Sequence, residues 1–580
     1  MLKFKLEKNV FIKLTLYILS QFRGKIMKNR KKLTLLLSIA MVVSFTGCQN
    51  NFLSNLKPID SNQFATIAVG FDNISTLDPS KASDKPSKYI LQECEEALTR
   101  EEVKDGKDEY VPAGAESFET SSDGKTWTIH LRNNTWSDGK AVTADQYVYA
   151  LKRTLDKTTA SEDAYLLVEA GIKGAANYNS NSAGTNSLGV QAVNNLTLKI
   201  TLERPCPYFT KLLATHLFIP EREDLVKKYG DNYGNSIDTT VYDGPFKVTY
   251  LKNSDKVEMV KNESYWDKND VKLSKITMLL LSNEDSRMNA LVNNKVDLVD
   301  VANKIWDSKI KKLNEFNKNV YDQPQTYFIA FNFNNKYLGN AKIRQAISEA
   351  INRDKFASDE LNYFAKPAYG IVPPAVSCND VPYTNITGKT LKNGMNGAKS
   401  LFNEGLKEVN KNLKPEDVTI EYLVPGTSSE DKEAGDFIKN ELKTNLGINI
   451  NCDYLDSDAY LNKIANGNYG MCFSSWTSDY NDPLSSFDIW TSGSNVFNNN
   501  WYNSNFDNSL LQIKNNGNES NRLEKLQALE KSFLIDNAVV APLYFSQSEV
   551  IYEKYLDNIM IPNFSNGIEL KYAYTSGRNE

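Results

Sequence analysis

Alternating apolar and polar residues indicate half-buried strands in several parts of the chain. In 125–132, Trp127, Ile129 and Leu131 share one face, and 196–202 carries leucine or isoleucine at every second position. Successive side chains of a strand point to opposite faces, so this period of two is typical of sheets with one face in a core. The same pattern, or a short apolar run, predicts further strands at 276–281, 296–301, 448–454 and 539–552.

Helical periodicity lies between these strands. Thr143 and Gln146 form a capping box before a helix that runs to about residue 155, and Asn340 precedes a helix with an apolar stripe at every third or fourth position. Further helices are predicted at 430–445 and from Asn521. Strands and helices alternate most clearly after residue 326. The chain is therefore predicted to be an α/β protein with more than one sheet.

Length and charge limit the possibilities. A chain of 580 residues, 41% hydrophobic and 24% charged, exceeds the roughly 250–300 residues at which single cores stop growing, so at least two lobes are expected. Residues 1–47 carry ten of the 67 basic side chains and one of the 72 acidic ones, which leaves 57 basic and 71 acidic for the rest. This acidic body argues against nucleic-acid binding, which requires a basic surface.

The N-terminus resembles a bacterial lipoprotein signal. A basic segment, 27–32, precedes an apolar segment, 33–45, and Thr46 and Gly47 stand before Cys48. The usual leucine three positions before the cysteine is here Phe45. The resemblance implies a signal peptide at 27–47, lipid attached to Cys48 and a linker at 48–61. Residues 1–26 are then expected to be an extension from a misplaced start codon or, alternatively, an unusually long basic region.

Motifs of common enzymes are absent from the sequence. It has two histidines, and it contains no H-E-x-x-H, G-x-S-x-G, C-x-x-C or complete phosphate-loop motif. The six cysteines lack metal-site spacing, and Cys452 and Cys472 are expected to be free thiols or a pair. No catalytic residue, metal or cofactor is therefore predicted.

Several separated motifs resemble one family, the bacterial extracellular solute-binding proteins of family 5, which serve peptide ABC importers. The resemblance covers about residues 66–555. The motifs are Thr76-Leu77-Asp78-Pro79, Trp127-Thr128-Ile129-His130-Leu131-Arg132, Thr135-Trp136-Ser137-Asp138-Gly139, Asp243-Gly244-Pro245-Phe246, Tyr265-Trp266-Asp267, Lys342-Ile343-Arg344-Gln345-Ala346-Ile347 and Ser475-Trp476-Thr477-Ser478-Asp479-Tyr480. Their order and spacing together are more specific than any one of them.

The resemblance implies a two-lobed periplasmic-binding-protein-like clamp with an extra subdomain inserted in the first lobe. The expected segments are 62–95, 239–325 and 545–580 for lobe I, 96–238 for the inserted subdomain, and 326–544 for lobe II. Ligand is expected in the cleft between the lobes.

The resemblance also implies how such a cleft holds peptides. Asp479 matches the family's acidic residue and is expected to neutralise the peptide's N-terminal ammonium. Trp476 and Tyr480 are expected to line the same site. The weaker candidates for contact with ligand are Tyr165, Tyr327, Asn332 and Gly244. Where short-peptide binders place basic side chains for the peptide carboxylate, this chain has Cys472 and Phe473, with Lys463 upstream. Longer or variable peptides are therefore expected.

These expectations combine into one functional hypothesis. The protein would be a lipid-anchored monomer on the extracytoplasmic face of the bacterial cell membrane, capturing oligopeptides for the permease and ATPase subunits of an ABC importer. One alternative is a peptide pheromone receptor on the same fold. A lipid-anchored hydrolase, or a nickel or haem binder, is less compatible with two histidines and no catalytic motif.

Overall fold

Residues 57–104, 106–182, 184, 187–309, 313–392, 395–494 and 496–578 are described by a computed structural model. Residues 61–578 form one unit, and 57–60 fall outside it. The strands are β1 Phe64–Val69, β2 Thr99–Lys104, β3 Lys107–Pro112, β4 Ala115–Thr120, β5 Thr126–Leu131, β6 Val190–Asn194, β7 Thr197–Thr201, β8 Phe246–Lys252, β9 Lys256–Lys261, β10 Lys275–Leu280, β11 Leu298–Val301, β12 Asn317–Phe331, β13 Ala365–Pro367, β14 Ser377–Cys378, β15 Val381–Pro382, β16 Thr419–Pro425, β17 Asn449–Leu455, β18 Met471–Thr477, β19 Val540–Tyr552, β20 Leu556–Asp557 and β21 Tyr574–Thr575.

Helices lie between these strands. The α-helices are α1 Lys85–Cys94, α2 Ala144–Leu155, α3 Ala164–Glu169, α4 Ala175–Asn179, α5 Phe209–Leu212, α6 Glu223–Tyr229, α7 Glu284–Val292, α8 Trp306–Lys309, α9 Ala341–Glu349, α10 Arg353–Lys355, α11 Tyr383–Thr387, α12 Met395–Val409, α13 Ser429–Leu446, α14 Ser457–Ala465, α15 Ser504–Lys514 and α16 Glu519–Lys531. The 3₁₀ turns are Lys157–Thr159, His216–Phe218, Gly230–Asn232, Ile237–Thr239, Leu313–Glu315, Pro415–Asp417, Pro483–Ser486 and Asp488–Trp490, and the π turns are Phe356–Glu360 and Ser532–Asp536.

An eleven-stranded sheet runs through the molecule in the order β17-β16-β18-β12-β19-β11-β1-β10-β9-β8, with β13 beside β19. β1 is parallel to β10 and β11, and β16 is parallel to β17 and β18. The central pair, β12 with β19, is antiparallel. The sheet is mixed, as is common when helices connect parallel strands and hairpins connect antiparallel ones.

The two longest strands join the two ends of this sheet. The N-terminal part of β12 pairs with the C-terminal part of β19, which also pairs with β11. The C-terminal part of β12, residues 325–331, lies between β18 and the N-terminal part of β19 and pairs with both. The β12–β19 register shifts between Asp322 and Thr326, and such irregularities bend a strand pair. The shift lies where the lobe boundary is predicted, and the boundary itself stays a prediction.

A separate sheet of four strands, β4-β5-β7-β6, lies within the segment predicted to be inserted. Its apolar faces belong to one continuous cluster that also contains Phe328, Tyr480 and Trp490 from the second half of the chain. The core around β1 and β8–β10 is a different cluster. The four-stranded sheet therefore packs its core against the second half of the chain, although its own strands belong to the first half.

Local sequence signals predicted several elements correctly. The capping box at Thr143 opens α2, and Asn340 accepts the Ile343 amide at the start of α9. Helix α16 begins earlier than predicted, because Asn518, not Asn521, caps it. Cys452 and Cys472 are free thiols. Within the described ranges, no helix is both long and apolar enough to span a bilayer.

Candidate functional site

The turn after β18 positions the residue expected to bind the peptide ammonium. The Ser478 amide donates to the Pro324 carbonyl at 2.8 Å, which fixes the end of the strand against β12. Asp482 caps the following 3₁₀ turn, since its carboxylate accepts the Leu484 amide at 3.0 Å. The Asp479 amide donates to Ser485 Oγ at 2.6 Å. The Asp479 carboxylate is thus not used as the cap.

Asp479 lines a cavity with two facing walls. Residues 479–481 form one side of the cavity, which we call the Asp479 wall. The other side, which we call the acid-rich wall, is formed by residues of the segments 88–110, 166, 211–219 and 564–569. The cavity measures about 120 Å³. A peptide is larger, so its entry requires the two walls to move apart.

Burial raises the pKa of the Asp479 carboxyl to about 6. A hydrogen bond from Tyr165 and the charge of Lys88 act in the opposite direction, while Asp163 and Asp488 raise the pKa further. In the described part of the chain, Asp479 forms no ion pair. A carboxylate removed from water and left without a cation gains from a bound ammonium group, which supplies the missing charge.

The structure brings Tyr165 and Tyr480 to the same place. The Tyr165 hydroxyl lies near the Asp479 carboxyl group, and Tyr165 is 43% exposed. Tyr480 lines the cavity, its ring stacks on Tyr208 at a centroid distance of 4.9 Å, and its hydroxyl donates to Asp488. Tyr480 therefore anchors the wall that carries Asp479, while Tyr165 offers a hydroxyl beside it.

Trp476 and Gly244 support this region from outside the cavity. The Trp476 indole donates to the Ser485 carbonyl at 3.1 Å and packs on the core. At Gly244, an added Cβ would lie 2.6 Å from the Cys94 carbonyl carbon and the Glu95 amide nitrogen. Glycine is needed here because two backbones touch behind the acid-rich wall. Neither residue lines the cavity. The cavity therefore does not support their predicted contact with ligand, which stays a prediction.

Tyr327 and Asn332 lie elsewhere. The Tyr327 ring stacks on Tyr544 at 4.4 Å and packs on the core on the other side of β12. Asn332 is buried, and its side-chain amide donates to the carbonyls of Gly467 and Tyr469. The polar groups of Asn332 hold two chain segments together. Ligand contacts of these two residues stay predictions.

Sequence reasoning missed an ion cluster beside Asp479. The Lys88 ammonium lies 2.6 Å from Asp163 Oδ2, and His216 Nε2 lies 3.1 Å from the same oxygen. Although burial acts to raise the pKa of Asp163, His216 and Lys88 hold it below its usual range. Burial in turn lowers the pKa of His216. No local signal joins these residues, because they come from three distant segments.

The acid-rich wall contains a second missed cluster. Arg100 donates to Glu96 Oε1 at 3.0 Å and to Glu569 Oε2 at 2.6 Å, and all three side chains are at most 6% exposed. Burial acts to raise the pKa of Glu96, but Arg100 and Lys571 hold it below its usual value. The unusual run of acids at 93–102 is the one sequence signal that could have indicated this wall.

The sequence has no basic side chain where short-peptide binders hold the peptide carboxylate. Lys463, the cation upstream of that position, pairs with Glu421 at 3.0 Å and with Asp453 at 2.6 Å. Phe473 packs beside Tyr327. Among the described residues, no group of three or more His, Cys, Asp or Glu side chains could hold a metal ion. Cys48 lies outside the described residues, and its lipidation stays a prediction.

Comparison with known proteins decides the family. Residues 109–498 match the middle region of the bacterial extracellular solute-binding proteins, family 5. The chain belongs to this family. The oligopeptide-binding protein OppA of Bacillus subtilis (strain 168) is 30% identical over 539 residues, which covers 91% of this chain and 96% of that protein.

Solved structures of similar proteins confirm the two-lobed fold of family 5. The substrate-binding domain of an oligopeptide ABC transporter from Bacillus anthracis str. Ames superposes with a TM-score of 0.72 at 29% identity, over 90% of this chain and all of that chain. The peptide-binding pheromone receptor PrgZ superposes with a TM-score of 0.71 at 26% identity, over 89% and 100%. The similar structures thus include both an oligopeptide ABC transporter domain and a pheromone receptor.

Proposed function

We propose that the protein captures oligopeptides between its lobes and delivers them to the membrane permease of an ABC importer, with no catalytic role. The observation that carries this proposal is the half-buried carboxylate of Asp479, which lines the cavity without an ion pair in the described part of the chain. The names of the similar proteins, which include oligopeptide-binding proteins, support a peptide as the ligand.

A general peptide site must use what all peptides share. Every linear peptide has a charged N-terminal ammonium, and a fixed carboxylate pairs with it through charge-assisted hydrogen bonds. The peptide main chain can pair with a strand end in the manner of an added strand, and water can fill the space around variable side chains. Asp479, at the end of β18, is placed for the first of these tasks.

Two measurements test this function. Mass spectrometry of ligands that co-purify with the native protein is expected to find peptides, whereas sugars or metal ions would contradict the proposal. Replacing Asp479→Asn is expected to weaken peptide binding about 100-fold in calorimetry, since removing one charge of a desolvated pair costs about 3 kcal/mol. Undiminished affinity would remove Asp479 from the site.

Asp458→Asn is the matched control for that variant. Asp458 is an exposed carboxylate in the first turn of α14 in the same half of the chain. Its replacement removes the same charge far from the cavity, so peptide affinity is expected to change less than twofold. Equal losses in both variants would show a general effect of charge on binding and not a site at Asp479.

A pheromone receptor is the second candidate function, because PrgZ is similar over 89% of this chain. Many co-purified peptide sequences would favour import, and a single sequence would favour signalling. For either role we propose attachment to the extracytoplasmic face of the membrane through a lipid on Cys48, as the signal-like segment before it indicates. The mass of the mature N-terminal peptide tests this attachment. We also expect the protein to be a monomer.

A further inference from the structure

More carboxyl groups than basic side chains line the cavity. Three cations, Lys88, Arg100 and Lys211, face it together with five carboxylates. The carboxylates are Glu95, Glu96, Glu101, Glu569 and Asp479. A carboxyl group that has no cation within the protein is available to pair with a basic group of a ligand.

The cations are already engaged within the protein. Arg100 is held by its two carboxylates on the acid-rich wall. Lys88 forms its ion pair with Asp163, and the Lys211 ammonium donates to Ser377 Oγ at 2.7 Å. The surplus of carboxylates therefore remains after the internal pairs are counted.

Glu101 is the residue of the acid-rich wall whose carboxylate is least satisfied. The residue is 9% exposed, and its Oε1 has no hydrogen-bond partner among the residues that the structure describes. The hydroxyl of Tyr110 and the backbone of Phe564 lie beside the carboxyl group, and the charged groups that face it are Asp108 and Lys211. A buried acceptor without a partner is costly, and a donor from a ligand would remove that cost.

Glu101 and Asp479 are connected across the cavity. Glu101 is opposite Tyr110 in the β2–β3 hairpin. The Tyr110 hydroxyl accepts a hydrogen bond from the Asn481 side chain at 2.9 Å, and Asn481 follows Asp479 by two residues. One hydrogen bond thus links the two walls, and neither Glu101 on one wall nor Asp479 on the other forms an ion pair in the described part of the chain.

We propose that Glu101 is a second cation-binding subsite, so that the protein prefers peptides with a lysine or arginine side chain in addition to the N-terminal ammonium. This inference rests on the proposed function, with Asp479 holding the ammonium. The basic side chain reaches Glu101 Oε1 across the cavity, where it makes a charge-assisted hydrogen bond.

Proton release gives this subsite a measurable signature. Burial, with a smaller contribution from Asp108, raises the pKa of Glu101 to about 8. The carboxyl is therefore mostly protonated at pH 7 and must lose its proton when a cation binds. The affinity for a basic peptide, relative to a neutral one of the same shape, should rise between pH 6 and 8.

The test compares alanine-based tetrapeptides that carry lysine or norleucine at position 1, 2 or 3. Norleucine has the same aliphatic stem without the ammonium group. At the position that reaches Glu101, the lysyl peptide is expected to bind about tenfold more tightly in calorimetry. Glu101→Gln should abolish that ratio while the norleucyl peptide keeps its affinity within about twofold.

Glu109→Gln is the matched control, since Glu109 is an exposed acid on the same hairpin. It should leave the lysine-to-norleucine ratio unchanged. Binding of the norleucyl peptide also reports that Glu101→Gln is folded. Equal affinity of lysyl and norleucyl peptides at every position, or a ratio that survives Glu101→Gln, would overturn the subsite but leave the proposed function intact. Failure of all peptides to bind the unaltered protein would overturn both.

Discussion

The two walls of the cavity use buried charge in different ways. On the acid-rich wall, Arg100 is matched by Glu96 and Glu569, and the three side chains are nearly inaccessible to solvent. On the Asp479 wall, one carboxylate faces the cavity, held in place by aromatic packing around Tyr480. The Arg100 cluster is complete within the fold, while Asp479 has no ion pair in the described part of the chain and is proposed to pair with a ligand.

This difference separates residues that stabilise the protein from residues that bind. A buried charge with partners contributes to folding through those partners, and the loss of one leaves the others uncompensated. A buried charge without an ion pair costs folding energy, so its presence in a cavity indicates a use in binding. The comparison predicts that changes in the Arg100 cluster will alter the free energy of unfolding, whereas changes at Asp479 will alter the affinity for peptides.

The largest expected effect is on folding, from Arg100→Met. The replacement leaves Glu96 and Glu569 buried without their arginine, which is expected to lower the free energy of unfolding by about 3–5 kcal/mol. Urea denaturation followed by circular dichroism measures the change. Lys140→Met is the control, because Lys140 forms an exposed pair with Asp224 and should cost less than about 1 kcal/mol. Equal losses would contradict a special role for the buried cluster.

Gly244→Ala tests the backbone contact behind the acid-rich wall. The new Cβ would meet backbone atoms of Cys94 and Glu95 at 2.6 Å, so one segment must shift. Such overpacking is expected to cost about 1–3 kcal/mol in the free energy of unfolding. Gly397→Ala serves as control, because nothing lies within 4 Å of the added carbon in α12 and alanine favours a helix by roughly 0.5–1 kcal/mol. Equal stability of the two variants would show that the contact relaxes freely.

Much of the fold could be predicted from the sequence because its signals are local. Capping at Thr143 and Asn340 and the alternation in β5 and β7 each involve neighbouring residues. The contact of the four-stranded sheet with the second half of the chain was not predicted. This contact depends on packing between residues that are far apart in the sequence, such as the stacking of the Tyr208 ring on the Tyr480 ring.

The site was predicted less completely for the same reason. Asp479 was found through the family resemblance, and the structure places it in the lining of the cavity with Tyr165 close to it. Tyr327 and Asn332 were predicted from the same resemblance but lie away from the cavity. Glu101 could not be singled out among neighbouring acids, since only the fold determines which carboxylate is left without a hydrogen-bond partner.

The smallest expected effect is the pH dependence of binding at Asp479. Its pKa of about 6 in the free protein should fall when an ammonium group binds, so the free protein holds more protons than the complex at mildly acidic pH. Affinity is therefore lost as pH falls through 6, about tenfold by pH 5 relative to pH 7.5, which corresponds to about 1.4 kcal/mol.

Calorimetry with a norleucyl peptide and the Glu101→Gln variant isolates this effect from the second subsite. The other titratable or charged groups around Asp479 are Lys88, Asp163, Tyr165 and Asp488. Asp479→Asn, measured with the same peptide at higher concentration, should give a nearly flat profile if these groups contribute little. A flat profile for the protein with Asp479 intact would contradict pairing of this carboxylate with the ammonium. A profile equally steep in both proteins would assign the titration to Asp488, whose pKa burial raises to about 6.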